Sequence, residues 1–296
     1  MTTVNRARRK NNLQYLLFVA LPLAVYAMFF LYCNVNTLFL SFYSWDGLGE
    51  KLYVGLKNFT DIFTKSRAFS ISLKNTILYT LVLTVFQNLF GLILALFLSK
   101  DSRLNRMLRT AFFLPAIFSS VAIGFLWGFI YDPNLGILNK LLEALGLGAL
   151  RHAWLGEPSI AIYSIAMVHV WVGIGYSMVL FIAGLQQIPE ELYEAASIEG
   201  AGPWATFSRI TMPLLRPTVL TLVVLCTIGS FKAFDYVYIL TGGGSVGGKA
   251  EVLATLIYKE GFAYSRLGYS ASLSMVLLVV VSVISLLQMY LLRDKD

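Results

Sequence analysis

The glycine-rich segment Thr241–Ala250 contains both spacings that nucleotide-binding loops use. The matching residues are Gly242, Gly244 and Gly247 for G-x-G-x-x-G, and Gly243, Gly248 and Lys249 for most of a phosphate-binding loop. A phosphate-binding loop places Ser or Thr after its Lys to hold Mg²⁺, whereas this segment has Ala250 there. No strand–loop–helix unit surrounds the segment. We therefore exclude a nucleotide site and expect a flexible, tightly turning loop.

Histidines and cysteines give no metal site or catalytic centre. His152 and His169 have no second His or carboxylate at metal-ligand spacing, so we expect no bound metal. Cys33 and Cys226 lie at or inside apolar stretches far apart in the chain, which argues against a disulfide or a cysteine metal site. No G-x-S-x-G, H-E-x-x-H or close acid pair is present, so we expect no catalytic residues and no enzyme activity in this chain alone.

Charged and hydrogen-bonding groups inside apolar stretches are costly in lipid and are therefore candidates for a transport path. Lys232 and Asp235 are three residues apart, so on one helix they can pair on a single face. They form either a pair near the membrane surface or part of a water-filled path. His169, Trp171 and Tyr176 combine aromatic faces with hydrogen-bonding groups, which a sugar needs. A packed interior histidine with aromatic neighbours explains these three residues equally well.

Gln87 and Asn88 lie near the middle of an apolar stretch. Amides at such positions join neighbouring helices by hydrogen bonds, which is the favoured interpretation. A place on a transport path is the alternative.

Composition identifies the elements that must position these groups. Of 296 residues, 57% are hydrophobic and 13% charged, against about 25% charged in soluble domains. A bilayer needs about 20 apolar residues per helix, and six stretches qualify: Leu13–Tyr32, Ile71–Ser99, Ala111–Tyr131, Ser159–Ile182, Thr218–Leu240 and Ser270–Leu292. We predict an all-α, multi-pass membrane protein with six transmembrane helices. Residues 1–12 form a tail, and 13–32 form an uncleaved first span because no small-residue cleavage site follows.

The net charge of +7 reflects membrane orientation rather than a nucleic-acid partner. The N-terminal tail and the short loop Lys100–Thr110 each carry four Lys or Arg residues, whereas the alternate segments are longer and more dilute. Short basic loops stay in the cytoplasm. We therefore predict that both termini are cytoplasmic.

The segment 188–217 is longer than a connection between two spans requires. Pro189 starts a short helix whose opening turns carry Glu190, Glu191 and Glu194, where the helix dipole favours acids. Gly200 has the character of the glycine that ends a helix, and Pro203 opens a second short helix predicted to end near Met212-Pro213. About thirty residues at this place indicate a partner or a function.

This segment resembles the EAA signature of ABC importer permeases. Glu194–Gly200 is followed by nine residues and then by Ile210-Thr-Met-Pro213, with the family's spacing throughout. Met212 replaces the usual Leu, and Glu199 replaces a common Asp. Other segments resemble the first-subunit permeases of the maltose-type carbohydrate family: Tyr53–Phe59, Lys74–Thr76, Arg109–Pro115, Trp154–Gly156, Ala183–Pro189 and Leu240–Gly244.

The resemblance implies a type I ABC importer permease bundle, with a five-helix core over 70–292 that includes the cytoplasmic EAA coupling loop 188–217. It implies a bacterial or archaeal cytoplasmic membrane, a second permease subunit, homodimeric ATPase subunits, an external sugar-binding protein and membrane lipid as partners. ATP and Mg²⁺ would bind the ATPase, and this chain would hold no cofactor. It assigns ATPase coupling to Glu190, Glu191, Glu194, Ala195, Ala196, Gly200, Ile210 and Pro213.

Sugar contacts in the maltose-type relative come from the two spans that flank the loop. Counted from the signature, they fall on His169, Gly173, Tyr176, Ser230 and Ala233. The family's polar amides are replaced at three of these positions, so maltose itself is not the expected sugar. Together with Lys232 and Asp235, these residues are the candidates for the substrate path.

The function that follows is import of a di- or oligosaccharide, driven by ATP hydrolysis on a partner. The same architecture importing a polyol-phosphate such as glycerol phosphate is an alternative. A self-sufficient secondary transporter would need an inverted repeat and more buried ionisable residues, and the sequence has neither. A structural membrane scaffold would lack an ATPase partner.

Overall fold

The computed structural model describes residues 18–243 and 250–292. The chain divides into two compact units. The first comprises the described part of Met1–Lys65 together with Ile257–Val276, and the second comprises Ser66–Leu256 with the described part of Leu277–Asp296. Five helices among these residues are long and apolar enough to cross a membrane, or six when one bent pair counts as a single span.

The first unit contains a lone apolar helix and a small hairpin. Helix α1 spans Phe18–Leu40, so it continues beyond the predicted end at Tyr32. None of its residues is buried in this chain. Strands β1 (Tyr43–Ser44) and β2 (Leu52–Tyr53) pair antiparallel, and helix α2 spans Lys57–Thr64. The Asn58 amide fastens α2 to the hairpin by donating to the Ser41 and Tyr43 carbonyls at 3.0 Å.

The second unit is a helical bundle. Its helices are α3 (Arg67–Leu98), α4 (Arg103–Phe113), α5 (Ser120–Ile130), α6 (Ile137–Ala144), α7 (Ala161–Leu185), α8 (Glu190–Ile198), α9 (Pro203–Phe231) and α10 (Asp235–Leu240). Helix α11 (Leu253–Tyr258) starts in this unit and continues into the first unit, which contains the wide helical turn Lys259–Ala263. Helix α12 (Leu267–Leu292) belongs to the first unit up to Val276 and to the second unit from Leu277 onward. Ser66 and Ser102 cap α3 and α4 by accepting a backbone N–H at 3.1 Å.

The predicted third span, Ala111–Tyr131, is broken rather than continuous. Arg103–Ile117 and Ser120–Ile130 meet at 99°. The reason is local: Pro115 lies in a 3₁₀ turn after α4, Phe118 is extended, and the Ser119 hydroxyl caps the next helix by accepting from the Val121 N–H.

The predicted fifth span, Thr218–Leu240, is also divided differently. Helix α9 ends at Phe231, and α10 starts at Asp235, where an acid suits a helix N-terminus. At its other end α9 begins at Pro203 and does not stop near Met212-Pro213 as predicted. A π-helical stretch, Phe207–Thr211, lets the Met212 N–H bond the Phe207 carbonyl and so accommodates Pro213, which has no N–H.

Helix α3 lies between α7 and α9 and bonds both of them. Gln87 Nε2 donates to Ser177 Oγ of α7 at 2.9 Å, and Asn88 Nδ2 donates to the Cys226 thiol of α9 at 3.7 Å. The predicted role of both amides as links between helices is therefore confirmed.

The loops that follow α3 and α7 lie at one end of the bundle. Near it, Ala95 and Leu98 of α3 pack with Phe181 and Ile182 of α7. The basic loop after α3 and the loop after α7 therefore leave the bundle at the same end, as the charge pattern predicts.

The Gln87–Ser177 hydrogen bond can be measured by a double-mutant cycle. Gln87→Ala and Ser177→Ala should show a coupling of about 0.6 kcal/mol, and no more than about 1.7 kcal/mol, in the free energy of unfolding of the solubilised chain. Pairing Gln87→Ala with Ser164→Ala is the control, because Ser164 lies on the same helix and its hydroxyl donates to the Ile160 carbonyl one turn away. The control pair should be additive; equal coupling in both cycles would contradict the assignment.

Candidate functional site

Helix α8 carries the predicted coupling signature and ends in a glycine turn. Gly200 has φ +74°, a left-handed conformation that a residue with a Cβ adopts only with strain. The Gly200 N–H bonds the Ser197 carbonyl at 3.1 Å, and the Ala201 N–H bonds the Ala196 carbonyl at 2.9 Å. This pair of bonds is the Schellman arrangement that closes a helix. The predicted glycine end of the first loop helix is therefore confirmed.

The two faces of α8 differ. On the inner face, Ala196 is buried, and the Tyr193 hydroxyl lies 3.2 Å from the Thr211 hydroxyl of α9. The other face is open: Ile198 is 87% exposed, and the acids and the first alanine are exposed as well, namely Glu190, Glu191, Glu194 and Ala195. The two alanines of the signature therefore differ in exposure, and only Ala195 is open to contact from another protein.

The remaining predicted coupling residues lie on α9 or in the turn. Gly200 is exposed, and a Cβ added there would meet no atom within 4 Å of this chain. Ile210 is half-buried in the π-helical stretch, and Pro213 is exposed just after it. Gly200 thus lies at the exposed end of α8, whereas Ile210 and Pro213 belong to α9.

The predicted substrate residues His169 and Ser230 are both bonded to α3. A hydrogen bond of 2.9 Å joins the Tyr79 hydroxyl to His169 Nδ1. The centroids of the Tyr236 and His169 rings are 5.0 Å apart. The Ser230 hydroxyl, only 1% exposed, donates to the Thr80 hydroxyl at 2.8 Å. Consecutive residues of α3 thus bring α7 and α9 together at this level.

The other substrate candidates divide into buried and open positions. Gly173 faces the Gln87 amide closely, and Ala233 is buried. Tyr176 is 45% exposed, and Lys232 and Asp235 are exposed. The candidates therefore differ in their access to a ligand in this conformation.

The predicted pairing of Lys232 with Asp235 is wrong. The helix ends before Lys232, so the two residues do not share a helical face. The Asp235 carboxylate instead accepts a hydrogen bond of 2.9 Å from the Ser120 hydroxyl of α5. No ion pair among residues 18–243 and 250–292 joins Lys232 to Asp235.

Sequence reasoning missed three residues that contact His169 or Ser230, namely Tyr79, Thr80 and Tyr236. The sequence contained one signal for the first two: Tyr79 and Thr80 precede Gln87 and Asn88 by eight residues, about two helical turns, and so lie on roughly the same side of the helix. Nothing in the sequence distinguishes Tyr236 from a tyrosine at the membrane surface.

Only part of the glycine-rich segment Thr241–Ala250 lies within the described residues. Gly242 and Gly243 both have positive φ, +65° and +74°, as a tight turn requires. Gly244, Gly247, Gly248 and Lys249 lie outside the described residues. Within the part of the chain that the structure describes, no three His, Cys, Asp or Glu residues are grouped so that they could hold a metal ion.

Known proteins resemble this chain over nearly its whole length. A probable ABC transporter permease protein of Bacillus subtilis, YurN, is 39% identical over 271 residues, covering 90% of this chain and 92% of the relative. The lactose transport system permease protein LacF of Rhizobium radiobacter is 33% identical over 302 residues, covering 100% of both chains.

A solved structure has the same fold. A chain of a bacterial ABC transporter involved in the import of the acidic polysaccharide alginate matches with a TM-score of 0.82 and 25% identity, covering 97% of this chain and 98% of that one. The bundle is therefore a type I ABC importer permease fold. The family model of the binding-protein-dependent transport system inner membrane component matches residues 87–295. The chain belongs to this family of inner membrane components of binding-protein-dependent transport systems.

Proposed function

We propose that this chain is the permease subunit of an ATP-driven importer for a di- or oligosaccharide delivered by an external binding protein. The observation that carries the proposal is the geometry of α8, which exposes an acidic face and is fastened to the membrane-spanning helix α9 behind it. A helix exposed in this way fits a groove of a second protein. The acids at Glu190, Glu191 and Glu194 suit a basic partner surface.

Helix α9 gives a mechanical link from that face to the substrate candidates. It runs from Pro203 to Phe231, 29 residues or about 43 Å. Near its start, Thr211 contacts α8, and near its end, Ser230 bonds α3. A push on α8 would therefore reach the level of His169 and Ser230 without passing through a flexible loop.

The ATPase would be a pair of identical subunits that hold ATP and Mg²⁺, and this chain would bind no cofactor. A second permease would complete the path. The whole apolar surface of α1, exposed in this chain, would be covered by lipid or by that second permease. Both termini would lie on the side of α8, in the cytoplasm of a bacterial or archaeal cell.

Carbohydrate import is supported by the relatives and by the chemistry near α7. One relative is named for lactose, and the solved relative is titled for alginate. Rings of Tyr176 and Tyr236 and the imidazole of His169 provide stacking surfaces and hydrogen-bonding groups for a sugar. Because Ser230 and Ala233 are buried here, contact of sugar with them requires the helices to separate.

Reversing the charge of Glu194 tests the coupling face. Glu194→Arg should reduce recovery of the ATPase with the permease at least tenfold and abolish sugar uptake, since a repelled charge at an interface costs several kcal/mol. Glu50→Arg, an equally simple reversal at an exposed acid of the hairpin, should leave both unchanged. The measurement is co-purification of the subunits and uptake of labelled sugar. Normal uptake by Glu194→Arg would contradict the proposal.

A substitution at Gly200 tests whether the ATPase contacts this residue or whether only its left-handed backbone conformation is needed. Gly200→Asn keeps the left-handed turn accessible but adds a side chain where this chain leaves open space. If a partner surface covers Gly200, this variant fails in transport while its thermal stability stays within about 1 kcal/mol of wild type. Retained uptake would show that only the turn matters.

Tyr176 tests the substrate path against a matched control. Tyr176 and Tyr163 lie on α7 with exposures of 45% and 43%. Tyr176→Ala should lower the maximal rate or the apparent affinity of sugar uptake at least fivefold, because a stacking ring contributes about 1 kcal/mol or more. Tyr163→Ala should transport normally. Equal effects of the two substitutions would remove Tyr176 from the path.

A further inference from the structure

Helices α3, α4 and α7 enclose an apolar groove of about 570 Å³. The lining side chains include Phe90, Ile93, Leu94, Leu108, Ala111 and Phe112. Trp171 is the only lining residue with a polar side-chain atom, and none carries a charge. Such a lining offers hydrogen-bonding ligands almost nothing and favours hydrocarbon.

The groove opens to the outside of the chain within its membrane-spanning part. Its walls at Ile93, Phe112 and Trp171 are 40%, 40% and 37% exposed. Two of the three helices, α3 and α7, are long enough to span a bilayer. At this depth the opening faces either hydrocarbon or another membrane-embedded helix.

The walls do not suit a neighbouring helix. Close helix contacts in membranes use small residues that let the backbones approach. In this region those positions are already filled from within the chain: Gly91 faces Ser177, Gly173 faces Gln87, and Gly175 receives the backbone of α4 at Phe112. What remains open is bounded mainly by large side chains, with the small residue Ala111 among them.

Basic groups stand at one end of the groove. Leu94 lies four residues, about 6 Å of helix, before the end of α3, and Leu108 lies five residues after the start of α4. Lys100 and Arg103, in the turn between them, are exposed and take part in none of the ion pairs among the described residues. The other two arginines are engaged: Arg106 pairs with Asp101 at 3.5 Å, and Arg109 donates to the Leu98 and Ser99 carbonyls.

We propose that this groove binds an acyl chain of an anionic phospholipid whose phosphate lies at the Lys100–Arg103 turn. The N-terminus of α4, an eleven-residue helix, adds its dipole to the same place. The apolar lining accounts for the chain, and the two unpaired cations account for the choice of an anionic headgroup. The site belongs to the membrane-embedded fold and does not depend on which sugar is imported.

The test uses the complete transporter in nanodiscs that contain phosphatidylglycerol or phosphatidylcholine with a photoreactive acyl chain. Adducts are mapped by mass spectrometry. The peptide containing Ala111 and Phe112 should be labelled at least threefold more by phosphatidylglycerol than by phosphatidylcholine. Ala111→Leu, which fills the groove, should reduce this labelling at least threefold. Ala116→Leu, at an exposed alanine outside the lining, should leave it unchanged.

A second, double variant tests the proposed contact between the lipid headgroup and the two basic residues. Lys100→Gln with Arg103→Gln should remove the preference for phosphatidylglycerol while labelling by phosphatidylcholine persists. Elution volume and thermal melting of each variant report whether the chain is still folded. Labelling equal to that of the open surface at Phe29 or Phe125 would mean ordinary surrounding lipid and would overturn the proposal. Cross-links from Ala111 to the second permease in place of lipid would overturn it as well.

Discussion

A hydroxyl or amide inside a lipid-embedded helix has no water to bond, so it bonds either a carbonyl of its own helix or a polar group of a neighbouring helix. Helix α3 meets this constraint twice. Tyr79 and Thr80 bond α7 and α9 at one level, and Gln87 and Asn88 bond the same two helices about two turns further on. Because both neighbours are held by one helix, the relative position of α7 and α9 is fixed by polar bonds as well as by apolar packing.

This arrangement supports the coupling role proposed for helix α8. Helix α8 is mostly exposed, and on its own it would be a marginal nine-residue helix. The Gly200 turn closes it, and Tyr193 fastens it to α9. If α8 couples to the ATPase as proposed, a force applied to it would be delivered to α9, and through Ser230 to the hydrogen bonds of α3. The polar residues proposed to meet the sugar are the same residues that hold the helices together in this conformation.

Much of this architecture could be predicted from the sequence, for identifiable reasons. Long apolar stretches located the spans, and Pro189, Gly200 and Pro203 located the ends of the loop helices, because these residue types restrict the backbone directly. The Gln87 and Asn88 links followed from the cost of unbonded amides in lipid. Exposure of Glu194 beside a buried Ala196 could not be predicted, since it depends on which side α9 approaches.

The two missed helix breaks have a shared cause. Apolar length alone does not reveal whether a span is continuous, so the 99° break after Ile117 and the end of α9 at Phe231 were missed. Local signals were present at Pro115 and Ser119, and at Lys232 and Asp235. Conversely, the helix predicted to stop at Pro213 continues, because the wide turn at Phe207–Thr211 absorbs the missing N–H.

The central claim is that the open face of α8 contacts the ATPase and transmits its movement through α9. The most direct measurement places a photoreactive amino acid at position 198, where Ile198 is 87% exposed, in the assembled transporter. The account predicts an adduct with the ATPase subunit whose yield changes between the nucleotide-free and ATP-bound states. An intact transporter that forms no such adduct in either state would contradict the account.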